Sequence, residues 1–466
     1  MFRNIILGCC LALLSACATP YKLPVTAIPV TLDPVFTDHM VLQRQLPVRV
    51  WGKANPGEPV KVMFAGRSRR AVADSTGHWS VVLPSMKASA ASRDLVVQGH
   101  NQSVVKDVLV GEVWLCSGQS NMQWGLLGVS AGRADLQAAN LPGLRLYSVE
   151  LRIAATPQAA FNGTKGWVVC SPDTLTRVGN HSSSFSAAGF YFGRDLQAKL
   201  GVPVGLIQSA WGGTRIEPWT PQDQPVTGAL KNTSRSAIYN AMISPMTPMT
   251  IRGAIWYQGE SNLTDKGAYE QKMKDLITSW RTVFQRPDMP FYYVEIAPYR
   301  YGGDDTALGE LRAAQARVAA SVPHTGMIHT LDNPNDVWNI HPDNKRQTGE
   351  RLVRLALADT YGIRVGKSVT GPRFLSARQD QDGLRVAFSE TAGALTTVDG
   401  KAPVGFEVST AGGSWVSATA DIRGDEIRIT LPGQTVAKVR FCWRATQQSN
   451  LRNAEGFPPS PFSIQL

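Results

Sequence analysis

Val113-Trp114-Leu115-Cys116-Ser117-Gly118-Gln119-Ser120-Asn121-Met122 is the stretch on which the reading of this chain turns. An apolar run, Val108 to Leu115, breaks abruptly into small and polar residues, and Ser120 stands between the amide side chains of Gln119 and Asn121. A buried strand that delivers a serine into a glycine-containing turn exposes a nucleophile at the edge of a sheet. Cys116 lies inside the strand and is a poor nucleophile candidate by comparison. An isolated Gly-x-Ser is an ordinary strand–loop junction, so the assignment needs partner segments elsewhere.

Three later strand ends supply them. After Val204 to Gln208 comes Ser209-Ala210-Trp211-Gly212-Gly213-Thr214, where two glycines permit close backbone approach and can aim an amide N–H at an oxyanion. After Gly253 to Tyr257 comes Gln258-Gly259-Glu260-Ser261-Asn262, where the Gln258 amide could donate a second hydrogen bond to that oxyanion. A last strand ends near Asp332, and the chain runs through Asp336 and Asn339 to His341-Pro342. Pro342 disfavours the α conformation at His341, which places this histidine on a loop before a helix, as a base should be. His329 lies within the strand itself, and His39, His78 and His100 fall far from the serine along the chain.

Around these motifs, strand-like runs at Val108–Leu115, Val204–Gln208, Gly253–Tyr257, Phe291–Ile296 and Gly326–Leu331 alternate with helical patterns at Ala187–Leu200, Tyr269–Phe284, Leu308–Ala320 and Arg346–Tyr361. Such alternation predicts a parallel, helix-covered sheet over about 109–365, with ligands beyond the carboxyl ends of its strands. On either side the pattern is strands and turns alone. Residues 31–108 and 366–466 therefore read as two flanking β-domains, each expected to be a sandwich.

The N-terminus reads as a processing segment. Arg3 precedes an apolar run, Ile5 to Leu14, too short to span a bilayer, and Leu14-Ser15-Ala16-Cys17 resembles a bacterial lipobox. Residues 1–17 are thus expected to be a lipoprotein-type signal with Cys17 as the lipidation site, and 18–30 a tether. The anchored chain would sit in the bacterial cell envelope, facing the periplasm, without a transmembrane helix. At 466 residues with 43% hydrophobic and 18% charged residues, the rest is a folded multidomain protein. The formal charge of +11 comes from scattered basic residues, and no run approaches a nucleic-acid arm. Of six cysteines, Cys116, Cys170 and Cys442 follow Cys17; that odd number excludes a full disulfide framework, and each lies in an apolar stretch as a buried thiol would. No metal-ligand spacing and no phosphate-cradling loop is present, and the chemistry indicated by Ser120 needs no cofactor.

The order Ser, Gly, Gln, His at successive strand ends resembles the SGNH hydrolase superfamily. Gly118-Gln119-Ser120-Asn121-Met122, Trp211-Gly212-Gly213-Thr214, Trp256-Tyr257-Gln258-Gly259-Glu260-Ser261-Asn262 and Ile340-His341-Pro342 are similar to the sialate O-acetylesterase family. So are Met40-Val41-Leu42-Gln43-Arg44 near the start and Asn450-Leu451-Arg452-Asn453 near the end. The resemblance implies an SGNH-type three-layer core and an esterase that removes acetyl groups from oligo- or polysaccharides. Ser120 would attack, His341 would act as base, and Gly213 (or Gly212), Ser120 and Gln258 would hold the oxyanion. Many relatives carry an aspartate two residues before the histidine, where this chain has Asn339. Asp336, Asp332 or a backbone carbonyl near Asn339 then remain as orienters of His341. A broad short-chain esterase and a non-catalytic glycan-binding lipoprotein are the competing readings.

Overall fold

In the computed structural model, residues 28–163, 165–179, 184–333, 336–431 and 433–466 are described, so Cys17 and the signal-like segment lie outside them. The central layer is built from β1 (Gln102–Gly118), α1 (Ser120–Gln123), β2 (Leu141–Ser148), β3 (Val168–Cys170), α2 (Ala187–Leu200), β4 (Val204–Ala210), β5 (Gly253–Tyr257), α3 (Tyr269–Val283), β6 (Phe291–Val294), α4 (Ala307–Ser321), β7 (Thr325–Ile328) and α5 (Lys345–Asp359). The strand order is β3-β2-β4-β1-β5-β6-β7. All neighbours run parallel except the edge pair β3–β2.

The period-two alternation of a strand sends successive side chains to opposite faces. Trp114, Cys116, Leu206, Ile255, Tyr257 and Tyr292 pack with α2 and α5. Val113, Leu115, Ile207, Trp256, Phe291 and Tyr293 pack with α3 and α4 on the other side. The strands are buried on both faces, which explains their continuous apolar sequence. Each covering helix is defined by its own chemistry: α2 starts at the Ser186 cap, whose hydroxyl accepts the Gly189 N–H, and stops at Gly201 in the left-handed conformation.

β1 is twice as long as its apolar run suggests, because its first half belongs to another layer. Ser89–Gln98 pairs antiparallel with the early residues of β1, while Val41–Gln43 pairs parallel with Leu109–Gly111. The later residues pair with β4 and β5. The 108/109 boundary drawn from sequence therefore falls inside one strand. The joint is locked by the buried carboxylate of Glu112, which accepts hydrogen bonds from Gln43, Arg44 and Arg252. A separate three-stranded sheet, Thr31–Leu32, Val48–Lys53 and His78–Leu83, completes the N-terminal region. Its Val48, Val50 and Val81 belong to the same continuous core as Val113 and Trp256.

Toward the C-terminus, two four-stranded antiparallel sheets share an apolar core that includes Val386, Phe388, Phe406, Ile429, Phe441 and Phe462. The chain is thus an α/β protein with a mixed central sheet, helices on both faces and additional β-sheets at both ends. No helix among the described residues is long and apolar enough to cross a membrane.

Candidate active site

The serine turn is shaped by a glycine. Gly118 ends β1 at φ +135°, and a Cβ there would meet the Tyr257 carbonyl oxygen at 2.2 Å. A side chain at this position would push β5 off β1. The backbone then crosses between the two neighbouring strand ends. The Gln119 N–H donates to Tyr257 O (3.0 Å) and the Trp211 N–H to Gly118 O (3.0 Å). Ser120 opens α1 half-buried, while Gln119, Asn121, Met122 and Gln123 are buried around it.

Those flanking amides are structural staples. Gln119 Oε1 accepts the N–H groups of Gly259 and Ser261, each at 3.3 Å, which pins the loop after β5. Gln123 Oε1 accepts the Gly212 N–H at 2.8 Å, which pins the loop after β4. Gly212 approaches so closely that a Cβ on it would lie 3.3 Å from Ser120 Cβ. With the Gly212 amide committed to Gln123, Gly213 is the glycine whose N–H can serve a ligand at Ser120. Gly213 adopts φ +73°, a left-handed conformation that side chains disfavour.

Gln258, read from sequence as a second oxyanion donor, lies between the two loops. It is buried, and its amide donates to Thr214 O (3.1 Å) and to Asn262 Oδ1 (2.7 Å), which uses both hydrogens. Its Oε1 accepts the Tyr269 hydroxyl at 2.7 Å. Donation to an oxyanion would break one of these bonds. Gln258 thus ties the Gly213-Thr214 turn to the loop after β5.

His341 reaches the site through an aromatic platform. Its ring stacks on Trp124, the residue directly after α1, with centroids 4.1 Å apart and planes 18° apart. The Trp124 N–H closes the first turn on Ser120 O (2.7 Å), and its indole N–H donates to Gly128 O (2.8 Å). Serine and histidine are thus registered to one short segment. Pro342 follows, and Asn344 caps α5 by accepting the Gln347 N–H.

The three candidate orienters occupy distinct positions. The Asp332 side chain is 8% exposed and accepts two hydrogen bonds from Arg351 (2.8 and 2.7 Å), with Arg452 3.4 Å away. Burial raises its affinity for a proton, but Arg351 and Arg452 outweigh that and hold the carboxyl below the usual range. Asp332 therefore fastens the base of the loop to α5 and to the C-terminal region. Asp336 is exposed, and its Oδ1 accepts the Trp338 N–H at 2.9 Å. Asn339 acts through its side chain: Oδ1 accepts the His341 backbone N–H at 2.9 Å. Both residues shape the loop that carries the histidine.

Other groups are excluded by burial. Cys116, Cys170 and Cys442 are free and buried, with the Cys170 and Cys442 thiols pushed up to about 12 by desolvation. Burial raises Cys116 further. His329 follows β7, buried, with Nδ1 3.5 Å from Glu295. Among the described residues no group of His, Cys, Asp and Glu is arranged to hold a metal ion.

Known proteins are similar to this chain over most of its length. The family profile described as "Carbohydrate esterase, sialic acid-specific acetylesterase" matches residues 110–358, more than half of the chain. Human sialate O-acetylesterase is 31% identical over 374 residues, covering 69% of this chain and 69% of its own. The rat enzyme is 29% identical over 395 residues, covering 70% and 72%. A carbohydrate acetylesterase from Xanthomonas citri superimposes with a TM-score of 0.86 at 34% identity, over 94% of this chain and 99% of that one. The profile match spans the serine turn, the glycine turn and the histidine loop, and this chain belongs to the sialic acid-specific acetylesterase family of carbohydrate esterases, as an ester hydrolase.

Proposed function

We propose that the chain removes acetyl groups from acetylated oligo- or polysaccharides through a serine acyl-enzyme, on an SGNH-type three-layer core whose flanking β-sheets form sandwich domains. The observation that carries this reading is the convergence of Gly212-Gly213 and of the Trp124–His341 stack on the Ser120 turn. Ser120 Oγ attacks the acetyl carbonyl carbon while His341 takes the hydroxyl proton. The resulting oxyanion sits on the N–H groups of Ser120 and Gly213. As the first residue of a helix, Ser120 has an N–H with no acceptor inside that helix. One such donor is typically worth on the order of 3 kcal/mol of transition-state stabilisation. Collapse breaks the ester bond, and His341 returns the proton to the departing sugar oxygen. Water, activated by the same histidine, then cleaves the acetyl-enzyme to acetate and free serine.

On this reading His341 works with Ser120 from a loop braced by Asn339 and Asp336, and Asp336 is the carboxylate of that loop. Export through the N-terminal segment, with a lipid on Cys17, would hold the enzyme at the envelope membrane facing the periplasm. Acetate release from a panel of acetylated sugars, sialic acids, hemicelluloses and pectins included, tests the function. Ser120→Ala should abolish release by at least 10³-fold, and unchanged release would refute the mechanism. In the same assay Asp336→Ala and Asn339→Ala rank the two braces, and steep loss of rate from acetyl to longer acyl esters separates this reading from a broad esterase.

A further inference from the structure

Directly behind the serine lies a buried polar group that the reaction above does not use. Asn121, the residue after Ser120, is 1% exposed, and its side chain makes three hydrogen bonds. Nδ2 donates to the main-chain oxygen of Ile340 (3.0 Å), the residue immediately before His341. The other Nδ2 hydrogen goes to Glu260 Oε1. Oδ1 accepts from the Nζ of Lys345, the fully buried first residue of α5. The backbone on one side of this amide therefore carries the nucleophile, and the backbone it grips carries the base.

We propose that Asn121 is a positioning residue that clamps the His341 loop to the Ser120 turn, and that Glu260 and Lys345 fix which way its amide points. An amide fits this place in two orientations related by a flip, and only one presents N–H to Ile340 O. An ammonium has only hydrogens to give and an ionised carboxylate only lone pairs, so the Glu260–Asn121–Lys345 row selects that orientation. A flipped amide would face Lys345 with hydrogens and Glu260 with its oxygen. Burial works against both charges: it raises the Glu260 carboxyl and lowers the Lys345 ammonium, to about 7, against opposing contributions from Asn121 and Lys345 on the first and from Glu260 and Asp343 on the second. Lys345 Nζ also lies 5.1 Å from the Tyr257 ring centroid, on the strand end that receives Gln119. Two buried ionisable side chains flanking one amide are a poor way to stabilise a core, which replacement by apolar groups does as well or better. They are an effective way to hold one amide orientation.

The proposal rests on Ser120 and His341 being the reacting pair, and two independent readouts keep the two ideas apart. A serine-reactive aryl phosphonate reports Ser120 activation without sugar binding; Ser120→Ala abolishes labelling if the pair is assigned correctly, whatever Asn121 does. Asn121→Ala should slow both kcat and labelling at least 30-fold with KM within threefold. The second variant guards against a simple folding defect. Asn121→Asp keeps the shape but loses the donor when ionised and regains one O–H when protonated. The groups facing it are Glu260 and Lys345, with Asp343 and Tyr257 beyond Lys345 and His341 beyond Ile340. Its kcat relative to that of Asn121→Ala should therefore rise at least fivefold between pH 8 and pH 5.5, the titration of Lys345 and His341 being common to both variants. Labelling of Asn121→Ala at the wild-type rate overturns the clamp, as does a pH-independent ratio for Asn121→Asp.

Discussion

Replacing Trp124 by alanine is the sharpest perturbation of this site, because the indole touches the proposed base, His341, and its backbone closes the turn behind the proposed nucleophile, Ser120. The stack is near-parallel at 4.1 Å, the geometry of a direct face contact. An aromatic pair contributes about 0.5–1.5 kcal/mol beyond its buried area. When His341 takes the serine proton it becomes a cation over an indole face, and a partly buried cation–π contact adds about 1–2 kcal/mol that neutral imidazole does not gain. The second contribution exists only as charge develops, so it belongs to kcat rather than to substrate binding. The kcat share is therefore about 1–2 kcal/mol, or roughly 5- to 30-fold at 1.36 kcal/mol per decade. Trp124→Ala should lower kcat for acetate release by that factor with KM within threefold. Trp124→Phe, which restores a smaller face without the N–H to Gly128, should recover most of the loss. A Trp124→Ala enzyme with kcat within twofold of wild type would refute the idea that the indole supports the base.

Two further substitutions separate architecture from chemistry. Asp332→Asn leaves Arg351 and Arg452 without their buried counter-ion, and breaking such a pair costs about 3–5 kcal/mol, so the melting temperature should fall sharply. Its turnover at 20 °C should stay within threefold, whereas a loss of about 10⁴ at unchanged stability would make Asp332 the acid of a triad. Lys345→Met probes a different balance. Burial holds the folded-state ammonium at about 7, well below its ordinary 10.5. Between those values the unfolded chain binds a proton that the folded chain does not, so wild-type stability relative to Lys345→Met should rise with pH, by up to about 1.4 kcal/mol per unit. Denaturant titrations from pH 7.5 to 9.5 measure it, and a flat difference would mean that Lys345 is not desolvated as described.

The covering helices and inner strands were legible because their sequence signals are local. Ala187–Leu200 carries its own cap, apolar face and terminal glycine, and its observed limits match. β2 escaped notice since Leu141-Pro142-Gly143 reads as a turn, and it is held in the sheet by pairing with β4. The lower half of β1 was assigned to a neighbouring domain, because alternating polar residues there mark a one-sided strand and the apolar run above marks a two-sided one. At the site, Ser120, Gly213 and His341 stood out by their order at strand ends. The partners of Gln258, Thr214 and Asn262, are visible only once the loops are folded together. Asn121 and Trp124 gave no signal at all. Their contacts to the histidine loop and α5, at Ile340, Lys345 and His341, lie more than 200 residues away.

The uninterrupted path of β1 bears on how this protein can be divided. Seventeen residues at about 3.3 Å each form a rod of roughly 55 Å, anchored in one layer at its start and ending at the turn that presents Ser120. A cut anywhere along it would strip hydrogen-bond partners from one side or the other. The N-terminal region is therefore not an appendage that could be trimmed for a minimal enzyme or exchanged between relatives at a linker. It is half of the beam on which the proposed nucleophile is mounted.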